Sequence, residues 1–82
     1  MSLQMYERVA LKRSFPEDAL RVGDVATIVD FVDHPAGGPR GCVLERFNAL
    51  GETLDVVIVP EDAIEPLRAD EVLSVRTIAR AV

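Results

Sequence analysis

Apolar residues along this chain fall in short runs, and the residues that break them recur at strand-like intervals. The breakers are Pro16, Gly23, His34 through Gly41, Asn48 through Gly51, Pro60 through Asp62, and Pro66. Runs of four to eight apolar or β-branched residues bounded by such turn formers predict strands rather than helices. The first, Tyr6 to Lys12, alternates: Val9 and Leu11 share one face, and Arg8, Ala10 and Lys12 the other. Period-two alternation predicts a half-buried strand.

Residues Ser14 to Val22 carry Phe15, Pro16, Leu20 and Val22 among charges with no period, which predicts a long loop. Gly23-Asp24 then turns the chain into Val25–Val32, where seven of eight residues are apolar, aromatic or β-branched. This is the strongest strand signal in the chain. Both of its faces are largely apolar, as expected of a strand curling through a small barrel. His34–Pro39 supplies two glycines for positive φ and two prolines that cannot extend a ladder, so it predicts a hairpin tip. Arg40 to Phe47 is the returning strand. After the Asn48–Gly51 turn, Glu52 to Val59 is its hairpin partner.

Pro60-Glu61-Asp62-Ala63 predicts one 3₁₀ turn, with proline at its start and acids near its positive end. Ile64 to Leu67 is a short closing strand. From Ala69 to Val82 the pattern fits a helical stripe through Val72, Val75 and Val82, while Val72–Ile78 is rich in strand formers. Strand is the preferred reading. Five to six short strands, one long early loop and a 3₁₀ turn before the last strand predict an all-β fold, a small SH3-like antiparallel barrel. The barrel takes residues 6–67. Residues 1–5 form an N-terminal extension whose Met-Ser-Leu start is left out of the fold, and residues 68–82 a C-terminal strand or short helix.

Composition bears on partners more than on fold. At 82 residues the chain is one domain, 49% apolar and 28% charged, and it folds around a thin core. Nine basic residues stand against fourteen acidic ones, a net charge of −5, and only Lys12 among the nine is lysine. Acidic surfaces repel phosphate backbones, so nucleic acid and anionic membranes are disfavoured partners. A single cysteine makes no internal disulfide, and no apolar run approaches a membrane span or signal peptide, which points to the cytoplasm.

The residues Tyr6, Val9-Ala10-Leu11-Lys12, Phe15-Pro16-Glu17, Gly23-Asp24-Val25, Thr27-Ile28-Val29, Val59-Pro60 and Pro66-Leu67 together resemble a family of small uncharacterised bacterial proteins classed as a domain of unknown function. The resemblance covers roughly residues 6–67. It implies an SH3-like barrel and no activity. Members that neighbour toxin-like or nuclease-like proteins imply an antitoxin- or immunity-like accessory role. The Gly23-Asp24-Val25 stretch is also similar to KOW modules of ribosomal and transcription proteins, although Ala26 stands where that pattern has glycine.

Candidate chemistry is sparse. Cys42 and His34 flank one hairpin, and with Asp33 they offer a nucleophile, a base and an orienting acid. A small apolar strand thiol and a solvated turn imidazole are the stronger reading. Neither the spacing of a transition-metal site nor that of a calcium loop occurs, and the glycine-rich tip enters a strand, so no cofactor, metal or catalytic residue is expected. Phe31 and Phe47 are expected in the core. The candidate interaction surface is Tyr6 and Phe15 near the long loop, with Arg40 beside the hairpin tip, supplemented by strand edges and the tail at Glu71–Arg80. The function expected is a non-catalytic protein-interaction module that binds a protein or itself. The alternative is a KOW-like nucleic-acid module, which needs Arg8, Lys12, Arg13 and Arg40 on one face.

Overall fold

The computed structural model describes residues 3–78. It contains five strands, β1 (Arg8–Leu11), β2 (Val25–Val32), β3 (Gly41–Phe47), β4 (Thr53–Pro60) and β5 (Ile64–Pro66), with no α-helix among the described residues. All neighbours are antiparallel, in the order β4-β3-β2-β1-β5. The expectation of a small all-β antiparallel fold holds. The ladder itself is open, since β4 and β5 end it without pairing to each other.

One side of the sheet makes the core. Val9 and Leu11 of β1, Ala26 and Ile28 of β2, Cys42 and Leu44 of β3, and Val57 and Val59 of β4 are all buried. Leu20 from the early loop, Ala63 from the 3₁₀ turn and Ile64 of β5 close over them. Removing such side chains from water stabilises by roughly 1.5–3 kcal/mol each, and this supplies most of what a domain this small has.

The two apolar faces of β2 have a local cause. Ile28 pairs with Leu44 but Asp30 pairs with Val43, so one extra residue sits in β2 between them. The bulge shifts the alternation by one. Ala26 and Ile28 point inward before it, and Phe31, opposite Cys42, packs against the core after it. Val32, which the unbroken alternation groups with Ile28, is thereby turned out and is exposed.

Three further expectations are corrected. The segment Ser14–Val22 is not featureless: Pro16–Asp18 forms a second 3₁₀ turn, closed by backbone hydrogen bonds between Phe15 and Leu20. Phe47 is not core, because its inward neighbour is Arg46 and alternation places the ring on the solvent side. The tail forms neither strand nor helix over residues 71–78, its last four residues lying outside the described ones. Strand formers make a strand only beside a partner strand. Here Arg68 and Glu71 close a turn instead, with the Arg68 N–H donating to Glu71 Oε1 and the Glu71 N–H to the Arg68 carbonyl.

Candidate interaction surface

Because β2, β3 and β4 send alternate residues inward, the intervening positions form a second, outward face. Cross-strand pairing fixes its rows: Val32, Gly41 and Pro60; Asp30, Val43 and Ile58; Thr27, Glu45 and Val56; and Phe47 with Thr53. The side chains of Ile58 (61% exposed), Val56 (56%), Val32 (46%) and Phe47 (43%) leave a contiguous apolar stripe open to water. Contiguous apolar patches, unlike single exposed valines, mark surfaces that another molecule covers.

At the hairpin end, the stripe runs into a groove of about 270 Å³ lined by Val32, Asp33, His34, Pro35, Pro39 and Ile58, among others. Gly41 keeps this end open, since a Cβ there would lie 3.1 Å from Ile58 Cγ2. The Ala36 N–H donates to His34 Nδ1 at 3.0 Å, which holds the imidazole into the turn.

Charge is distributed unevenly around the stripe. Asp30 accepts only from its neighbour's backbone, the Phe31 N–H, and Glu45 accepts from the Thr53 hydroxyl at 2.6 Å. Among the described residues neither they nor Asp33 form an ion pair. Arg8, beyond Thr27 in the Glu45 row, is the cation that pairing brings nearest.

Elsewhere, Arg46 and Arg76 are engaged with acids and loop carbonyls. Arg46 is 4% exposed and forks onto Asp55, Nε to Oδ1 at 2.7 Å and Nη2 to Oδ2 at 2.5 Å. It also donates to the carbonyls of Asp18 and Ala19, both at 3.0 Å. Arg76 forks onto Asp24 at 2.8 and 2.6 Å and donates to the same Ala19 carbonyl. The hydrogen bonds to Asp55 raise the Arg46 pKa further, against the opposing effect of burial. Burial pushes the Asp24 carboxyl up, but the Arg76 hydrogen bonds, the Arg21 N–H and the charges of Arg76 and Arg46 outweigh it and hold it below the usual value. This network joins the early loop, β3, β4 and the tail.

The residues singled out from sequence are dispersed. Tyr6 is 74% exposed and takes φ 65°, its N–H donating to the Ile28 carbonyl. Phe15 is half-buried against the core, with the Arg13 guanidinium 5.4 Å from its ring centroid. Arg40 stacks on Phe31 at 3.8 Å and donates from Nε to Glu61 at 2.8 Å. No hydrogen bond or ring contact unites the three. Of the four cations required for a nucleic-acid face, Arg13 is paired to Asp62 and Arg40 to Glu61. Cys42 is fully buried, and burial together with the nearby Glu61 charge pushes its thiol up against the weaker pull of Arg40. His34 is exposed and shares a groove with Asp33 but not with Cys42. Among the described residues no group of three His, Cys, Asp or Glu is placed to hold a metal, and no helix is long and apolar enough to cross a membrane.

No family model, curated protein or solved structure matches the chain.

Sequence reasoning missed two things here. The outward stripe was legible in principle from the phase of Val43, Glu45 and Phe47 against that of Val56 and Ile58, but only once the two strands were put in register. Arg46 had a signal too, since it shares its phase with Cys42 and Leu44 and so had to face inward.

Proposed function

We propose that this protein is a non-catalytic protein-interaction module whose docking surface is the outward face of β2, β3 and β4. The observation that carries this reading is the uncovered apolar stripe of Val32, Val43, Phe47, Val56 and Ile58. Leaving four large side chains between 43% and 61% exposed on one face forgoes burial that a small domain needs, unless a partner supplies it. A rigid sheet is suited to this role, because its side chains hold their positions without further ordering on binding. The reading places the protein in the cytoplasm, where a single reduced thiol is ordinary. The resemblance to small bacterial proteins encoded beside toxin-like neighbours adds an antitoxin- or immunity-like accessory role as its biological form.

The test is affinity capture from native lysate with the wild-type chain and with the double variant Val56→Lys, Ile58→Lys, each checked for a native circular dichroism spectrum. A stoichiometric protein bound by the wild type and lost by the folded variant is the expected result. A wild type that recovers no protein and stays monomeric at all concentrations would sink the reading.

A further inference from the structure

Resting on the interaction-module reading, we infer that the outward face takes a polypeptide segment in which apolar side chains alternate with lysine or arginine, rather than a second copy of this chain. The apolar stripe supplies the contact area and its flanks supply the choice of partner. Asp30 stands beside Val43, Glu45 beside Val56, and Asp33 at the mouth of the groove that Ile58 and Val32 line. Among the described residues all three carboxylates lack an ion-pair partner, whereas Arg13, Arg40, Arg46, Arg68 and Arg76 are each bound to an acid. These five cations are held by acids away from the outward face, and three carboxylates with no ion pair among the described residues stand around it.

Electrostatics then separates the occupants. In a two-fold dimer through this face, the same patch meets itself, so Asp30, Asp33 and Glu45 of both copies enter one interface against a single flanking cation per copy, Arg8 at the end of the Glu45 row. This excess of like charge costs free energy and disfavours the arrangement. Phosphate-bearing partners meet the same repulsion. An extended segment lying on the face points every second side chain, the apolar ones, onto Val43, Val56 and Ile58, while the long basic side chains between them leave on its other side and curl back around its edges toward the flanking carboxylates. The groove beside Pro35 and Pro39 receives one apolar side chain at the end of the segment.

The experiment is a titration of the full isotope-labelled chain, followed by amide chemical shifts, with two short capped peptides alternating valine with lysine or valine with glutamate. At about 50 mM salt, where charges are little screened, the lysine peptide shifts the amides of Val32, Val43, Val56 and Ile58, and the glutamate peptide does not. The triple variant Asp30→Asn, Asp33→Asn, Glu45→Gln keeps a native spectrum and binds the lysine peptide about tenfold more weakly, as expected for three surface charges. Equal binding of both peptides, unchanged binding by the triple variant, or shifts confined to other surfaces would each overturn the inference. So would concentration-dependent shifts of the same amides without peptide, which would show a second copy on the face. If neither peptide binds while Val56→Lys, Ile58→Lys still loses a captured protein, the partner chemistry is wrong and the module reading stands. If that capture is absent as well, both fall.

Discussion

Arg46 and Asp55 face one another across β3 and β4 on the inward side of the sheet, at the position where the hydrophobic pairs Cys42–Val59 and Leu44–Val57 give way to an ion pair. The charged fork does what an apolar pair there could not. Its remaining guanidinium hydrogens reach the carbonyls of Asp18 and Ala19, so the early loop is pinned to the end of the sheet.

Truncating this arginine leaves Asp55 without its bidentate partner and two loop carbonyls without their donors. Arg46→Ala should cost about 3–5 kcal/mol, the range for breaking a buried pair on one side. The double variant Arg46→Met, Asp55→Leu should recover part of it, since it removes the unpaired carboxylate but still leaves the Asp18 and Ala19 carbonyls without their donors. Urea unfolding of the three chains checks the order, and a single variant no less stable than the double would contradict it.

Asp24 gives the pH dependence a sign. Its folded pKa lies below its ordinary 3.8, so the pair with Arg76 contributes its full stability above about pH 5 and loses it as the pH falls through and below 3.8. Asp24→Asn should destabilise by on the order of 1 kcal/mol at neutral pH. The loss should shrink toward pH 2, where the wild-type carboxyl is protonated too. Thermal melts of both chains from pH 7 to pH 2 read this directly, and a gap that widens on acidification would refute it.

Ala19 holds φ 55°, ψ 35° in order to present its carbonyl to both Arg46 and Arg76. A Cβ in the left-handed region costs roughly 1–2 kcal/mol, and glycine escapes that cost. Ala19→Gly should therefore stabilise the chain, by about 1 kcal/mol after the extra freedom of the unfolded glycine is subtracted. A lowered melting temperature would show that the methyl group has a packing role.

Cys42 offers a probe of global opening. Its thiol is buried and pushed up in pKa, so alkylation at pH 8 should be slow in the native state and fast in denaturant. The labelling rate should rise with urea in step with unfolding. Rapid labelling of the folded chain would mean that β3 is accessible without it.

The strands were legible in the sequence because each is a short apolar run between turn residues. Val25–Val32 and the Asn48–Gly51 turn are where the pattern placed them. What was not legible depends on pairing. The period of two cannot show that β2 carries an extra residue, so Phe31 and Val32 exchanged sides. Strand propensity in Val72–Ile78 could not reveal that no described strand lies beside it, nor that Arg76 would tie it to Asp24 from 52 positions away. Tyr6, Phe15 and Arg40 drew attention by residue type, whereas the open face consists mostly of ordinary valines, with one isoleucine and Phe47, distinguished only by which way they point.

The extra residue in β2 also makes the strand unequal in its tolerance of length change. Before the bulge the inward positions are even-numbered, Ala26 and Ile28, and after it Phe31 is odd. Deleting Val29 would join the two halves into an unbroken ladder in which Ile28 still meets Leu44, Asp30 still meets Val43 and Phe31 still meets Cys42. Removing a residue between Val25 and Ile28 would instead move half of the inward set into water. In this strand a codon can be lost at one place without the inside and outside of the protein changing hands.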